Sequence, residues 1–537
     1  MRGTIMDYPL TLPTILEHAG RLHGAQEIVS RRPDRSIHRC TFADFYRRSR
    51  LLAEALLKAG LQPGDRVATL CWNHSVHLEA YLGVPCAGGV IHTLNLRLHP
   101  DELGYIARHA GDRFLIVDDD LLPILDDFKD KADFERIFVV RFGGGDVPAG
   151  MEDYEDLLAT ATGDFAYPEI DENAACGMCY TSGTTGMPKG VAYSHRGTVV
   201  HTLAAVMPDV FGLSMRDCIL PIVPMFHANA WGMPTAAVMT GSKIVFTGPH
   251  MDPDSILGLL ESERVTLTGG VPTVWFGVLD AMKRERERWR LHDRLTFVIG
   301  GSAAPESMIR DFNEVGHRVI HAWGMTEMTP IGTTGVPKPA VDRMSDDDRY
   351  ATLAKQGLPL PFVDIRVMGD DGPAPWDGET MGELQVRGPW IANAYYKPEG
   401  KIESWTDDGW FRTGDVVTVD REGYVKITDR SKDVIKSGGE WISSVDMENA
   451  LMGHPKIREA AVIAMPHERW VERPLACIVT EDGENLTLDE VRDFLESKFA
   501  KWWLPDAVEF LDEIPRTSTG KFKKTALRER FSGEETA

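Results

Sequence analysis

The stretch that decides the fold of this chain is Tyr180-Thr181-Ser182-Gly183-Thr184-Thr185-Gly186-Met187-Pro188-Lys189-Gly190. Its hydroxyls and glycines combine little side-chain bulk with many N–H and O–H donors, so the loop can wrap closely around a polyphosphate. Lys189 adds a mobile positive charge, although its spacing differs from the Walker A pattern. Because apolar segments flank the stretch on both sides, we predict a phosphate-binding loop rather than a flexible linker.

Composition and charge exclude several classes of function. The chain has 537 residues, enough for two or more domains, and 43% of them are hydrophobic. A formal net charge of −23 argues against nucleic acid or an anionic membrane as the main partner, because both would repel the protein. No apolar run reaches the length of a membrane span, and Met1–Gly20 lacks a secretory signal pattern, so we expect no integral membrane segment. Seven cysteines without a paired framework fit a cytoplasmic location, and Cys176 and Cys179 are expected in a buried strand.

Helical and strand signals alternate over most of the chain. A helix is predicted over Thr41–Gly60, opening with a capping box at Thr41 and Asp44. The next predicted elements are Arg66–Cys71, Ser75–Ala87, Val90–Thr93, Pro100–Ala110 and Arg113–Val117. After the phosphate loop come His195–Met207, Lys243–Phe246, Ser255–Ser262 and Thr296–Ile299. Such alternation predicts an α/β fold with parallel sheets and crossover helices.

The texture of the sequence divides the chain into two expected domains. Residues 1–429 would form a large N-terminal domain of two parallel-type α/β subdomains. Short β segments between Gly357 and Val425 would add a small β-barrel-like region to it. Residues 430–537 have their own βα pattern and are long enough for a small α+β C-terminal domain.

Further motifs contain residue types suited to a nucleotide and its metal. They are Gly300-Gly301-Ser302-Ala303-Ala304-Pro305, Trp323-Gly324-Met325-Thr326-Glu327, Thr413-Gly414-Asp415, Asp429–Ser443 and Pro515-Arg516-Thr517-Ser518-Thr519-Gly520-Lys521. Small residues after a strand allow a flat ring to approach the backbone. A carboxylate such as Glu327 suits Mg²⁺, and an aspartate held by a turn, such as Asp415, can accept both ribose hydroxyls. Each motif alone is weak evidence, since a turn or a surface side chain would explain it.

Together and in this order, the motifs resemble those of the adenylate-forming superfamily, which includes acyl-CoA synthetases, luciferases and peptide-synthetase adenylation domains. The resemblance extends from about Thr11 to Arg530. The variants at 323–327 and 437–443 are most similar to bacterial fatty-acid and 3-methylmercaptopropionate CoA ligases. Many family members have tyrosine where this chain has Trp323.

The resemblance implies roles for individual residues. Lys521 would bridge the attacking carboxylate and the α-phosphate, and Glu327 would bind Mg²⁺. The implied catalytic residues are Lys521, Glu327, Thr326 and Lys189. The implied ATP- and AMP-binding residues are Thr181, Ser182, Gly183, Thr184, Thr185, Gly186, Gly301, Ser302, Ala303, Trp323, Gly324, Met325, Asp415 and Arg430. The implied acyl pocket is His227, Trp231, Gly301, Gly324 and Pro330.

The same resemblance implies a moving C-terminal domain. It would pivot at Asp429, so that one active site serves two reactions. The implied CoA-binding residues are Ser437, Gly438, Gly439, Glu440 and Trp441. Lys523 and Lys524 lie outside the motif, and we expect them at the surface. His227 and Trp231 would face the same side if their segment were helical.

The implied activity is ATP-dependent acyl-CoA synthesis from a carboxylate, with ATP and CoA as co-substrates. Trp231 and Trp323 favour a short- or medium-chain acid or 3-methylmercaptopropionate, whereas Gly301, Gly324 and Gly332 would allow a long-chain or aryl acid such as cinnamate. The alternatives are a carrier-loading adenylation enzyme, a luciferase-like oxygenase and an inactive binding protein. The first is disfavoured because no carrier domain follows Lys521. Similar ligases are usually homodimers, although the sequence does not determine the oligomeric state.

Overall fold

The computed structural model describes residues 1–181, 187–285, 288–369, 372–398, 402–430, 432–437, 440–467, 469–481, 483–517 and 521–531. The first part of the chain builds a mostly parallel sheet with strand order β7-β6-β5-β3-β4-β8-β9. Its elements, with the two strands and two helices that precede it, are α1 (Leu12–Leu22), β1 (Glu27–Arg31), β2 (Ile37–Thr41), α2 (Phe42–Lys58), β3 (Arg66–Leu70), α3 (Ser75–Cys86), β4 (Val90–Thr93), α4 (Pro100–Ala110), β5 (Asp112–Asp118), α5 (Leu122–Asp126), β6 (Arg136–Val140), β7 (Glu152–Asp153), α6 (Tyr154–Ala159), β8 (Ala175–Tyr180) and β9 (Gly190–Ser194).

Local sequence signals explain how this part begins. Thr41 accepts a hydrogen bond from the backbone N–H of Asp44, whose side chain accepts one from Thr41, so the predicted capping box starts α2. Cys176 and Cys179 are buried in β8 as free thiols, as predicted. The loop quoted above connects β8 to its antiparallel neighbour β9.

A second large sheet has the order β16-β15-β14-β13-β12-β10-β11-β1-β2. The strands from β14 to β1 in this order are parallel, whereas β15, β16 and β2 run antiparallel to their neighbours. Its further elements are α7 (His195–Ala205), β10 (Cys218–Pro221), α8 (Met233–Thr240), β11 (Lys243–Phe246), α9 (Pro253–Ser262), β12 (Leu267–Gly270), α10 (Pro272–Arg284), β13 (Thr296–Ile299), α11 (Glu306–Glu314), β14 (Arg318–Gly324), β15 (Ile331–Thr334), α12 (Asp346–Leu353) and β16 (Leu358–Pro359).

The main hydrophobic core lies between these two sheets. It combines Val67 and Phe114 of the first sheet with Ile219 and Ile244 of the second, and α2 and α3 lie between them. Burial of this apolar surface is the main force that holds the two sheets together. Both sheets therefore present their loops to a shared face.

A smaller antiparallel sheet follows in the region predicted to be β-barrel-like, with the order β18-β17-β19-β20-β21. Its strands are β17 (Asp364–Gly369), β18 (Gly372–Pro373), β19 (Gly382–Arg387), β20 (Phe411–Val419) and β21 (Val425–Arg430). Strands β20 and β21 form a hairpin that carries Asp415, Asp429 and Arg430. This hairpin is the last element before the C-terminal part of the chain.

The C-terminal part has its own sheet and its own core. The sheet has the order β23-β22-β25-β24, with β26 added beside β25, and helices cover it. The elements are β22 (Ile435–Ser437), β23 (Glu440–Ile442), α13 (Ser444–Met452), β24 (Ile457–His467), β25 (Val471–Thr480), α14 (Leu488–Glu496), β26 (Ala507–Phe510) and α15 (Lys524–Phe531). The chain thus has the predicted class: a large α/β N-terminal domain and a smaller α+β C-terminal domain.

Candidate active site

A cavity of about 1000 Å³ lies where the two large sheets, the β20–β21 hairpin and the C-terminal domain meet. It collects residues from motifs that are far apart in the sequence. The predicted site residues that line it are Thr181, Lys189, His227, Trp231, Gly301, Ser302, Ala303, Trp323, Gly324, Met325, Thr326, Glu327, Pro330, Asp415, Asp429, Arg430 and Lys521. The motifs therefore converge on one place, as expected of parallel sheets whose ligands bind at the carboxyl ends of the strands.

Asp415 lies at the centre of a buried polar cluster on one wall. Its carboxylate accepts a hydrogen bond of 2.9 Å from the indole N–H of Trp323 and pairs with Arg430 at 2.9 Å. Asp415 and Arg430 are cross-strand neighbours, so the hairpin itself sets their distance. Gly414 precedes Asp415 with a φ of +70°, which a residue with a Cβ adopts only with strain. Trp323 thus contacts the acidic residue expected at the ribose.

The motif that ends in Glu327 is held rigidly from two sides. The Glu327 carboxylate accepts a hydrogen bond of 2.6 Å from the Tyr395 hydroxyl, and Tyr193 donates one of 2.8 Å to the carbonyl of Thr326. A Cβ added at Gly324 would lie 1.9 Å from the Pro330 carbonyl oxygen, so only glycine fits there. This buried carboxylate is a hard oxygen donor, and it fits Mg²⁺.

Sequence reasoning missed Tyr395 and Tyr193. The Lys189 ammonium lies 5.0 Å from the centre of the Tyr395 ring, so this ring lies between the lysine of the phosphate loop and Glu327. No sequence signal marked Tyr395, because a tyrosine that acts through one hydroxyl leaves no motif. Its partners come from segments more than sixty residues away.

The base of the phosphate loop is well defined. Thr181 donates its backbone N–H to the Lys189 carbonyl at 2.9 Å, and its hydroxyl accepts the N–H of Lys189 at 3.3 Å. This ladder brings both ends of the loop together below the cavity. The predicted contacts Ser182, Gly183, Thr184, Thr185 and Gly186 lie outside the described residues.

The backbone beside the predicted acyl pocket has an unusual conformation. Residues Ala228, Asn229, Ala230 and Trp231 all have a positive φ, between +42° and +57°. The segment is therefore not the right-handed helix that would have put His227 and Trp231 on one side by their spacing, although both line the cavity. Four consecutive left-handed residues are costly for L-amino acids and persist only where the surroundings enforce them.

Trp231 lies across the backbone at the end of β13. A Cβ added at Gly300 would be 3.3 Å from its ring, and one added at Gly301 would be 3.8 Å from it. Trp323 lies in the same way on Gly332, where an added Cβ would be 2.6 Å from the ring. Indole rings thus occupy the space beside these glycines, which the sequence left open for a larger acid. Burial lowers the pKa of His227 to about 4, and Lys521 contributes, so this imidazole is neutral at pH 7.

Lys521 reaches the cavity from the C-terminal domain. Its Cε lies 4.0 Å from where a Cβ on Gly301 would be. Burial lowers the pKa of Lys521 to about 8, with a further contribution from Arg430, while Asp415 and Glu327 oppose the shift. The ammonium is therefore placed among the carboxylates and the arginine of the nucleotide wall, in a position suited to an added anion.

The structure corrects the expectation that Lys524 lies at the surface. Lys523 is exposed, but only 11% of the Lys524 side chain is, and its ammonium pairs with Glu448 at 2.6 Å. Acidic partners raise the pKa of Lys524 despite its burial. A basic run in the sequence does not tell which of its lysines has a buried carboxylate beside it, because Glu448 is distant in the chain.

Of the predicted CoA-binding residues, the structure describes Ser437 in full. Ser437 is buried in β22, where its hydroxyl accepts a hydrogen bond of 3.1 Å from Arg473. Gly438 and Gly439 lie outside the described residues, as do the side chains of Glu440 and Trp441. Their predicted role stays a prediction.

Cys71, His74 and Asp118 form a buried group with the spacing of metal ligands. Hydrogen bonds explain this group without an ion: His74 donates to Asp118 at 2.9 Å and accepts the N–H groups of Val76 and His77, which starts α3.

None of the helices in the described ranges has both the length and the apolar composition needed to cross a bilayer.

Comparisons with known proteins agree with this geometry. A family model described as AMP-binding enzyme matches residues 16–396, and one described as AMP-binding enzyme C-terminal domain matches residues 446–521. The chain is 49% identical to a long-chain-fatty-acid–CoA ligase of Thermus thermophilus, with 98% of this chain and 97% of the relative covered. It is 44% identical to a medium-chain-fatty-acid–CoA ligase of Ectopseudomonas oleovorans (99% and 98% covered) and 43% identical to a 3-methylmercaptopropionyl-CoA ligase of Ruegeria lacuscaerulensis (99% of both).

Solved structures give the same result for the fold. ATP-bound MatB from Rhodopseudomonas palustris superimposes with a TM-score of 0.83 at 27% identity, over 98% of this chain and 99% of that one. The likeness spans both domains.

Proposed function

The chain belongs to the AMP-binding enzyme family and is an acid–thiol ligase that makes acyl-CoA through an acyl-adenylate, and we propose that its acid is a short- or medium-chain aliphatic carboxylate, the thioether acid 3-methylmercaptopropionate included. The observation that carries this choice is the position of Trp231. Its indole lies against Gly300 and Gly301 and so takes up the space next to the cavity that a bulky acid would need. The neutral His227 beside it favours an uncharged acyl chain.

In the first half-reaction a carboxylate oxygen attacks the α-phosphorus of ATP, the bond to the β-phosphate oxygen breaks, and pyrophosphate leaves. Lys521 would stabilise the charge that develops between the acid and the α-phosphate. Lys189 and the loop before it would hold the outer phosphates, and Asp415 would hold the ribose. Bringing two anions together is mainly a task of positioning and electrostatics.

In the second half-reaction the CoA thiolate attacks the acyl carbon, the bond to the phosphate oxygen breaks, and AMP leaves. We infer that residues 430–537 move as a unit about Asp429 between the steps, which withdraws Lys521 and brings the segment after Ser437 to the cavity. The hairpin supports this division, because Asp429 lies at the last strand before the C-terminal sheet.

Glu327 would hold Mg²⁺ together with phosphate oxygens, with Thr326 beside it. When bound, Mg²⁺ neutralises charge on the outer phosphates. Tyr395 orients the Glu327 carboxylate by its hydrogen bond of 2.6 Å. The homodimer and the cytoplasmic location expected from the sequence stay predictions.

A long-chain acid is the second candidate. It is favoured by the relative of 49% identity, which acts on long-chain fatty acids by its name. It would require Trp231 to leave its position over Gly300.

Product identification by mass spectrometry tests the proposal. The purified enzyme is given ATP, Mg²⁺, CoA and one acid at a time, from propionate to palmitate, with 3-methylmercaptopropionate and cinnamate added to the panel. We expect AMP and acyl-CoA with the highest kcat/KM for acids of up to about ten carbons, and Trp231→Ala should shift the optimum to longer acids, since one added methylene is worth about 1 kcal/mol. Highest kcat/KM with palmitate in the unaltered enzyme would favour the second candidate, and acyl-adenylate without thioester from any acid would contradict both.

A further inference from the structure

A second lysine of the C-terminal segment is tied to the predicted pivot. The Lys524 ammonium, at the start of α15, contacts Glu448 at 2.6 Å and the Ser444 hydroxyl at 2.5 Å. Glu448 also accepts the backbone N–H of Val462 at 2.7 Å, so the lysine is fixed between α13 and β24. The ion pair between Lys524 and Glu448 therefore lies wholly within the C-terminal domain.

The contact continues from Ser444 into the last strand of the large domain. The Ser444 hydroxyl donates to the Asp429 carboxylate at 2.6 Å, and the Ser444 backbone N–H donates to the same oxygen at 2.8 Å. A hydroxyl has one proton, and Ser444 uses it on Asp429, so Lys524 must donate to the hydroxyl oxygen. Lys524, Ser444 and Asp429 therefore form a hydrogen-bond chain with one direction.

The geometry fixes Asp429 in a single orientation. Its other carboxylate oxygen accepts the backbone N–H of Arg430 at 2.8 Å, and the side chain is buried. Burial raises the pKa of Asp429, while Lys524 and the Ser444 bonds oppose this shift, so the neighbours favour the ionised carboxylate. A buried carboxylate with these partners cannot rotate without leaving charged groups unpaired, which is costly.

Resting on the proposed function, we propose that Lys524 is a positioning residue that, through Ser444, holds Asp429 in the arrangement in which Lys521 reaches the cavity. Only two residues separate the two lysines, so a shift at the start of α15 is transmitted to Lys521. The segment between them is braced by backbone bonds of 2.7 Å, from Thr517 to Lys521 and from Lys523 to Pro515. The hydrogen-bond chain from Lys524 through Ser444 to Asp429 should therefore raise the rate of the first half-reaction and leave the rate of the second largely unaffected.

A half-reaction assay on the full chain tests this proposal. Acid-dependent ATP–pyrophosphate exchange measures the first step, and thioester formation from supplied acyl-adenylate and CoA measures the second. Lys524→Met keeps the length of the side chain but removes its charge; we expect exchange to fall about tenfold or more, since a buried charged hydrogen bond is lost, with thioester formation within about twofold. Lys524→Arg should recover most of the exchange rate, and Lys523→Met, one exposed residue away, should leave both rates unchanged.

The variant Ser444→Ala is a second test of the proposed role of Lys524. It breaks the chain but leaves the Lys524–Glu448 pair and the Ser444 backbone bond, so it should lower exchange selectively even if Lys524→Met does not fold. Equal losses in both half-reactions in Ser444→Ala, at unchanged thermal stability, would overturn the proposal, and so would full exchange activity. An unaltered enzyme that exchanges pyrophosphate but makes no thioester would instead contradict the proposed function, while the exchange comparison between variants would still hold.

Discussion

The two faces of strand β21 can be compared directly. On one face, Arg430 pairs with Asp415, and Lys521 lies nearby with a pKa lowered to about 8. On the other face, Asp429, which also borders the cavity, is held by Ser444 and Lys524, and the pKa of that lysine is raised. Consecutive residues on one strand thus belong to two clusters of similar composition.

The difference between the faces is whether their charges are compensated by the protein. Asp429 and Lys524 each have partners within hydrogen-bond distance, Ser444 for the first and Glu448 for the second, which suits a joint. Around Lys521, burial is the main cause of the lowered pKa of the lysine and Arg430 adds to it, whereas Asp415 and Glu327 oppose the shift. A buried lysine beside a second cation gains from an added polyanion such as ATP.

The largest effect should come from removing the Lys521 ammonium beside Arg430. Lys521→Ala should lower acid-dependent pyrophosphate exchange by about 10²-fold or more, because charge developing at the α-phosphate loses its partner. Thioester formation from supplied acyl-adenylate should stay within about threefold. Lys523→Ala serves as the control, and similar losses in both half-reactions would show that Lys521 is needed for more than the first step.

Substitution of Asp415 and substitution of Asp429 should affect different kinetic quantities. Asp415→Asn should raise the KM for ATP by about tenfold, since Arg430 loses its ionic partner and the ribose loses an acceptor. Asp429→Asn should leave that KM within about twofold and alter the ratio of the two half-reactions, which steady-state and half-reaction kinetics measure on both variants. If both raise the KM for ATP equally, the separation of the two faces is wrong.

The pKa shifts of Lys521 and Lys524 predict how the exchange rate depends on pH. Because the pKa of Lys521 is lowered to about 8, its charge is present below that pH and is lost above it, so kcat/KM for exchange should fall as the pH rises through about 8. At pH 9 the loss should be about tenfold. Lys524, with its raised pKa, should add no second fall in this range. Rates measured from pH 6 to 10 that stay level would contradict the assignment.

The smallest effect is expected at the metal end of the cavity. Tyr395→Phe removes one hydrogen bond to Glu327 and keeps the ring beside Lys189, so the Mg²⁺ concentration for half-maximal exchange should rise about fivefold. Calorimetric titration with MgATP gives a readout independent of turnover. Tyr396→Phe is the matched control, because its hydroxyl contacts only the Ala110 carbonyl at 3.4 Å among the described residues. Identical titrations for Tyr395→Phe and the unaltered enzyme would exclude the role.

The sequence alone predicted the class of fold and part of the cavity wall. Phosphate-binding loops and capping boxes are local features, so the loop at Lys189 and the box at Thr41 and Asp44 were predictable from short motifs. The convergence of Asp415, Glu327 and Lys521 was implied only by the resemblance of all the motifs to one family. Local signals failed where a residue acts through one distant partner, as Tyr395 does with Glu327.

Only the tertiary structure decided which of several residues of the same type is buried and paired and which is exposed. Lys523 and Lys524 are adjacent and alike in sequence, yet Lys523, which precedes helix α15, is exposed, whereas Lys524, the first residue of that helix, is buried against Glu448 of α13. The left-handed backbone at Trp231, which decides how much space the acid finds, likewise depends on packing against Gly300 and Gly301. Periodicity and motif spacing describe neighbours along the chain, whereas burial and charge pairing depend on neighbours in space.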